Sequence, residues 1–144
     1  MKKILLPLVI SALPLACAHI DRQPATISLK AIEDFSILDQ GDVPYYKDTD
    51  RNALAIDARI VENRNLFAQA TSTFEGKSGL YDVTITIMTE EDGEPIYRLL
   101  RNDKNVAVFK APYIGPGSDK DLKPMTHTWP KIELKQGDKI AIES

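Results

Sequence analysis

The chain of 144 residues holds one cysteine and two histidines, and that scarcity removes several kinds of chemistry at once. Cys17 falls in the N-terminal segment, so the body has no thiol to serve as nucleophile, zinc ligand or disulfide partner. His127 is the only histidine after His19, which leaves a serine or threonine nucleophile with a single candidate base. The 21 Asp and Glu are scattered, and no two of them stand out as a hydrolytic pair. A protein that is not an enzyme is therefore expected. Lys and Arg number 18, the net charge is -3, and the basic residues form no cluster. Nucleic acid and anionic surfaces call for a clustered basic face and are not expected partners. A convincing helical pattern is missing too. The length suits one domain, which at this size can bury about two-thirds of its unfolded surface without a metal or a disulfide.

What is present begins with a leader-like segment. Met1-Lys2-Lys3 is basic, and Ile4 to Leu15 is an apolar run of 12 residues followed by small ones. The run is shorter than the roughly 20 residues that span a bilayer, and residues 1–18 fit a bacterial export signal. Two processing readings stand side by side. Ala16-Cys17-Ala18 meets the small-x-small rule of ordinary signal peptidase, whereas Leu15-Ala16-Cys17 resembles the end of a lipobox, with Cys17 as the lipidated residue. The position of the single cysteine favours lipidation. Residues 19–25 are polar, contain Pro24 and read as a tether, which leaves 26–144 as the domain. The expected place is the periplasm or the outer membrane as an anchored lipoprotein, touching membrane only through the lipid, with secretion as the second choice.

The body is patterned for strands. From Leu80 to Met88 the chain alternates, with Tyr81, Val83, Ile85 and Ile87 on one parity and Asp82, Thr84 and Thr86 on the other. This period of two in β-branched and aromatic residues is that of a strand with one buried face. Gly76 and Gly79 precede it, and Glu90-Glu91-Asp92-Gly93 ends it in a turn. Thr26–Ile32, Leu54–Ile60 and Leu66–Phe74 alternate as well, and a short strand is possible at Phe35–Leu38. Ile96–Arg101 and Val106–Lys110 flank a hairpin signal, and Thr126–Leu134 and Asp138–Glu143 close the chain around Gln136-Gly137. Glu33–Asp50 and Ala111–Pro124 read as loops. Seven or eight short strands at this spacing predict an all-β fold, an antiparallel β-sandwich or jelly roll.

The order of the second half carries a resemblance. It runs Gly76-x-x-Gly79-x-Tyr81-Asp-Val-x-Ile, Glu91-Asp-Gly93, Tyr97-Arg-Leu-Leu, then Thr128-Trp129, Ile132-x-Leu134 and Gly137-Asp138-x-Ile140. From about Ala53 to Glu143 this resembles the galactose-binding-like jelly rolls, including the carbohydrate-binding modules of polysaccharide-degrading enzymes. The hairpin turn is Asn102-Asp103 where the family usually has Asn-Gly. The resemblance implies a jelly roll that binds a polysaccharide or oligosaccharide without catalysis, in the company of a polysaccharide-degrading enzyme, and often a structural calcium.

A sugar site pairs an aromatic plane with a few placed polar groups. Tyr45 and Tyr46, adjacent in a loop, are candidates, although neighbours in extended chain point opposite ways. Tyr113 in Ala-Pro-Tyr-Ile-Gly-Pro-Gly is another. Trp129 has the parity opposite to Ile132 and Leu134, so it faces outward unless Pro130 marks a bulge that turns it inward. Arg98 and Arg101 flank the hairpin and can donate paired hydrogen bonds to a uronate or sulfate, or pair with nearby acids; Asn102, in the turn after Arg101, completes the candidate ligand set. Asp48, Asp50 and Asp57 are spaced like calcium ligands but lack the full loop pattern. Met125 and His127 share a strand face with Trp129, and thioether with imidazole suits Cu(I), though two ligands are few.

Overall fold

The computed structural model describes residues 2–12, 26–38, 41–57, 59–89, 93–115 and 123–144, with residues 2–6, 12 and 64 described by backbone path alone. Cys17 and the 19–25 tether lie outside the described residues. Among the described residues the architecture is all-β: two antiparallel sheets, ten strands, one four-residue helix α1 (Ala31–Asp34) and a 3-10 turn at Val61–Asn65. Sheet A contains β1 (Lys2–Ala12), β2 (Thr26–Leu29), β3 (Tyr46–Asp48), β4 (Ala53–Asp57), β6 (Gly79–Met88) and β9 (Pro124–Leu134). Its order is β3-β4-β1-β6-β9, with β2 also on β1. Sheet B, ordered β5-β10-β7-β8, contains β5 (Gln69–Thr73), β7 (Ile96–Arg101), β8 (Lys104–Lys110) and β10 (Lys139–Glu143).

The strand from Leu80 forms as its alternation dictates. Tyr81, Val83, Ile85 and Ile87 are at most 4% exposed, while Asp82, Thr84 and Thr86 stay half-buried on the other face. These inward side chains share one core with Leu8, Ile10, Leu54 and Ile56 of sheet A and Ala70, Tyr97, Leu99, Ile140 and Ile142 of sheet B. Each buried aliphatic side chain contributes about 1.5–3 kcal/mol, enough in sum to hold the sheets together without a covalent staple. Gly76 is fixed by this packing, because a Cβ there would collide with the Ile27 side chain and the Phe74 ring.

Besides β2, which stops at Leu29 and gives way to helix α1 where the sequence reading runs a strand to Ile32, three features differ from that reading. The apolar N-terminal run assigned to a leader outside the fold is strand β1, paired to β6 on one side and to β4 and β2 on the other. An uncharged aliphatic run of this length serves equally as a leader core and as a strand with both edges paired, and periodicity does not separate the two. Pro7, which has no N–H to give, sits where the β1–β6 register shifts, the one kind of place a central strand tolerates it. Second, β4 ends at Asp57 rather than Ile60; Ile60 is 50% exposed and the chain turns there. Third, Tyr46–Asp48, read as loop, is strand β3.

The turn between β7 and β8 is of type I′, with Asn102 at φ 49° and Asp103 at φ 64°, so it keeps the hairpin geometry of Asn-Gly without the glycine. On β9, Pro130 and Lys131 together stand opposite Asp82, a bulge in which Lys131 has φ 57° and gives its N–H to Asp82 Oδ1 at 3.0 Å. The extra residue resets parity, which is why Trp129 and Leu134 both point into the core.

Candidate functional site

Tyr45 is a core residue, only 3% exposed, with its hydroxyl 2.7 Å from Ser144 Oγ. Burial pushes that hydroxyl's pKa up, and the ring has no face to offer a sugar. Its neighbour Tyr46 points the other way and lies half-buried over Ala53, Ala55 and Met88 on the outer face of sheet A. Trp129 is likewise in the core at 5% exposure, because of the bulge after it, and its Nε1 has no hydrogen-bond partner among the described residues. Asn102 is consumed by the turn: its amide donates to Asp138 Oδ1 at 2.8 Å, and its side-chain oxygen accepts from the Lys139 N–H at 2.9 Å. Tyr45, Trp129 and Asn102 are thus structural, each held by packing or hydrogen bonds that the local sequence does not announce.

The acids read as calcium ligands are not brought together. Asp48 pairs with Arg51 at 2.9 Å and Asp57 with Arg59 at 2.8 Å, at opposite ends of the β3–β4 hairpin region, with Asp50 exposed in the turn. No group of three or more His, Cys, Asp or Glu able to hold a metal occurs among the described residues. Met125 and His127 do share a face with Trp129, but it is the inward one. The His127 imidazole lies flat on Phe109, centroids 3.8 Å apart and planes 7° apart, with Trp129 edge-on at 5.3 Å. Phe109 stacks in turn near Tyr97 at 6.3 Å, so this ladder ties β9 of one sheet to β8 and β7 of the other. Burial lowers the His127 pKa and favours the neutral ring.

One predicted residue does converge with others. Arg98, on the outward face of β7, stands beside Glu143 of β10, Nη1 to Oε2 at 3.4 Å. Glu143 Oε1 accepts from Gln69 Nε2 of β5 at 2.9 Å. The Arg98 guanidinium also lies over the Phe67 ring, 3.8 Å from its centroid. The result is a row across three strands: an aromatic plane, an amide, a carboxylate and a guanidinium. Ala141 and Leu100, the pair two residues along the same face of β10 and β7, are buried, at 1% and 7% exposed. Phe67 is pinned from behind by Gly41 and Asp42, whose N–H donates to the Phe67 carbonyl at 2.7 Å. Gly41 has φ 85°, and a Cβ there would come within 2.5 Å of that carbonyl oxygen.

Tyr113, 55% exposed, follows β8 at the end of sheet B where Ile96 pairs with Lys110, the end that also carries Arg98, Glu143 and Gln69. Arg101 lies at the other end and is engaged by Glu133 at 3.2 Å and Asp138 at 4.0 Å. Phe67, Gln69 and Glu143 were missed by sequence reasoning. Their signal was parity: each alternates with residues read as core, which puts it on the outward face.

No protein-family model matches the chain, and no solved structure does. A curated relative, Uncharacterized protein P23 of Formosa agariphila, is 27% identical over 99 residues, which cover 69% of this chain and 22% of that protein. The chain thus matches under a quarter of that relative's length.

Proposed function

We propose that the protein is a non-catalytic carbohydrate-binding domain of the galactose-binding-like jelly-roll type, exported in a bacterium and held at the cell envelope, and that the outward face of sheet B receives the sugar. The observation that carries this reading is the Phe67–Gln69–Glu143–Arg98 row. Adjacent sugar hydroxyls need paired acceptors and donors, which a carboxylate and a guanidinium side by side supply, and the Phe67 ring holds that guanidinium in place. The Arg98–Glu143 pair is neutral as a unit, which favours a neutral glycan over a uronate or sulfate. Tyr113 stands at the same end, 55% exposed, as the aromatic surface that the apolar face of a pyranose needs.

Calorimetric titration against a panel of polysaccharides and oligosaccharides tests this. Arg98→Ala and Glu143→Ala should each weaken binding of the responsive glycan by at least about tenfold, or 1.4 kcal/mol, while Tyr46→Ala leaves it unchanged. A panel without any response discards the reading. A second reading, a protein-interaction domain with the same fold, is favoured by Val106 and Val108 on edge strand β8, exposed to 37% and 54%. A glycan-silent protein that copurifies with a stoichiometric partner would establish it.

A further inference from the structure

We propose that, once export has removed the leader, the gap left by β1 in sheet A is a strand-accepting slot, and that its occupant is a detached extended segment of a second polypeptide with aliphatic side chains two residues apart. The inference rests on the export reading given above. In the whole chain, β1 runs antiparallel to every strand beside it: Leu5–Ala12 along Ile87–Tyr81 of β6, Lys2–Leu5 along Asp57–Leu54 of β4, and Leu8–Ser11 along Leu29–Thr26 of β2. It is the hydrogen-bonded link through which β2, β3 and β4 reach β6 and β9. Taking it away leaves two facing rows of backbone N–H and C=O groups. Neighbouring strands lie about 4.8 Å apart, so these rows stand about 9.5 Å from each other, too far to bond directly and the width of one strand. Unpaired edges of this kind cost free energy and recruit other strands.

The slot also states what fits. Leu8 and Ile10, at 1% and 0% exposure, are the inward positions and cover Val83, Ile85 and Ile87 in the core. Val9 and Ser11 are half-buried on the outer face, and Ser11 Oγ donates to the Asp82 carbonyl at 3.2 Å. An entering segment therefore needs two aliphatic residues at alternate positions with modest ones between. It must also be free on both edges. Every strand of sheet B in a second copy is already paired, as are β3, β4 and β9 of its sheet A; β2, bonded to β1 alone, is freed with the slot but has 4 residues, too short to fill the place of an 11-residue strand. A free-standing segment of another polypeptide meets the requirement by strand addition, in which backbone bonds give affinity and alternate side chains give selectivity.

The full-length chain is expressed with export, the product is isolated, and its N-terminus is read by intact mass. It is then titrated with a peptide of the sequence of Lys2–Ala12 and with the same peptide carrying Leu8→Asp and Ile10→Asp. The expected result is a processed chain that binds the unmodified peptide one to one with a raised unfolding midpoint, and binds the substituted peptide at least about tenfold more weakly, since a carboxylate cannot enter the core unpaired. If the processed chain alone is unfolded, strand dichroism induced by the unmodified peptide supports the slot, and its absence overturns it. A product that retains residues 2–12 overturns both the slot and the export reading. A processed chain that treats the two peptides alike, or that dimerises and takes neither, overturns the slot while the export reading stands.

Discussion

At the scale of single residues, Asp138 shows how a buried carboxylate is kept charged. Its Oδ2 accepts the Lys135 N–H at 2.8 Å, Oδ1 accepts from Asn102 at 2.8 Å, and Arg101 stands at 4.0 Å. The Lys135 bond first, then Asn102 and Arg101, hold its pKa below the usual carboxylate value. A carboxyl more acidic in the folded state stabilises the fold above its unfolded pKa of about 3.9, and that stabilisation is lost as pH falls through the lower folded value. Asp138→Asn should therefore lower the unfolding midpoint at pH 7, and its gap to wild type should close below about pH 4. Thermal melts across pH check this, and a gap independent of pH would refute it. His127 has the mirrored sign for a base: its lowered pKa makes the neutral ring the folded form, so stability drops as pH falls below about 6.5. His127→Phe, which keeps a ring against Phe109, should flatten that part of the profile. Neither environment was legible beforehand. The adjacency of Tyr45 and Tyr46 implied opposite orientations, and they have them, but which one enters the core is decided by the pairing of β3 with β4 and by Ser144, almost a hundred positions away.

Elements tell a different story, because turns and bulges carry local chemistry. In the β7–β8 hairpin both turn residues are left-handed, and Asp103 accepts that conformation without a hydrogen bond to a buried partner; its contact is the exposed Lys139 ammonium at 2.6 Å. Exposed ion pairs contribute about 0–1 kcal/mol, whereas left-handed backbone costs a non-glycine residue about 1–2 kcal/mol. Asp103→Gly should thus leave stability unchanged or raise it by up to about 1 kcal/mol. Asn102→Gly should lower it by about 1–2 kcal/mol despite the easier φ, since Asp138 and the Lys139 N–H lose their partner. Chemical denaturation of the two variants tests the contrast, and equal responses would sink it. The alternation of β6 and the turn signals around β7, β8 and β10 were readable because each is written within ten residues. Strand β3 was not, being three residues long and held by its partner. The bulge at Pro130 was readable as a possibility, and its effect on Trp129 followed once Asp82 was seen to hold the Lys131 N–H.

For the molecule as a whole, the two sheets differ in what their centres ask of the chain. Sheet B is built from residues 69–143 and its central strand β10 is flanked by β5 and β7. In sheet A, β6 is flanked by β1 and β9, so its amides are bonded from both sides. Hydrogen exchange on the full chain should find β6 and β10 slowest and the edge strands β3 and β8 fastest; β6 exchanging like an edge strand would contradict the pairing described. The all-β class was legible from period two alone. The outward row on sheet B was not, because Arg98 and Glu143 meet only through the β7–β10 register, 45 residues apart in sequence. Time adds a constraint that space does not show. Lys2–Ala12 leaves the ribosome before any of its partners: Thr26–Leu29 and Leu54–Asp57 arrive to fill one edge, and the other edge stays open until residues through Ile87 have followed, on the order of seconds later at about 5–20 residues per second. Throughout that interval the open edge is available to any factor in the cell that binds oily extended chain, and the completed sheet comes second in the queue.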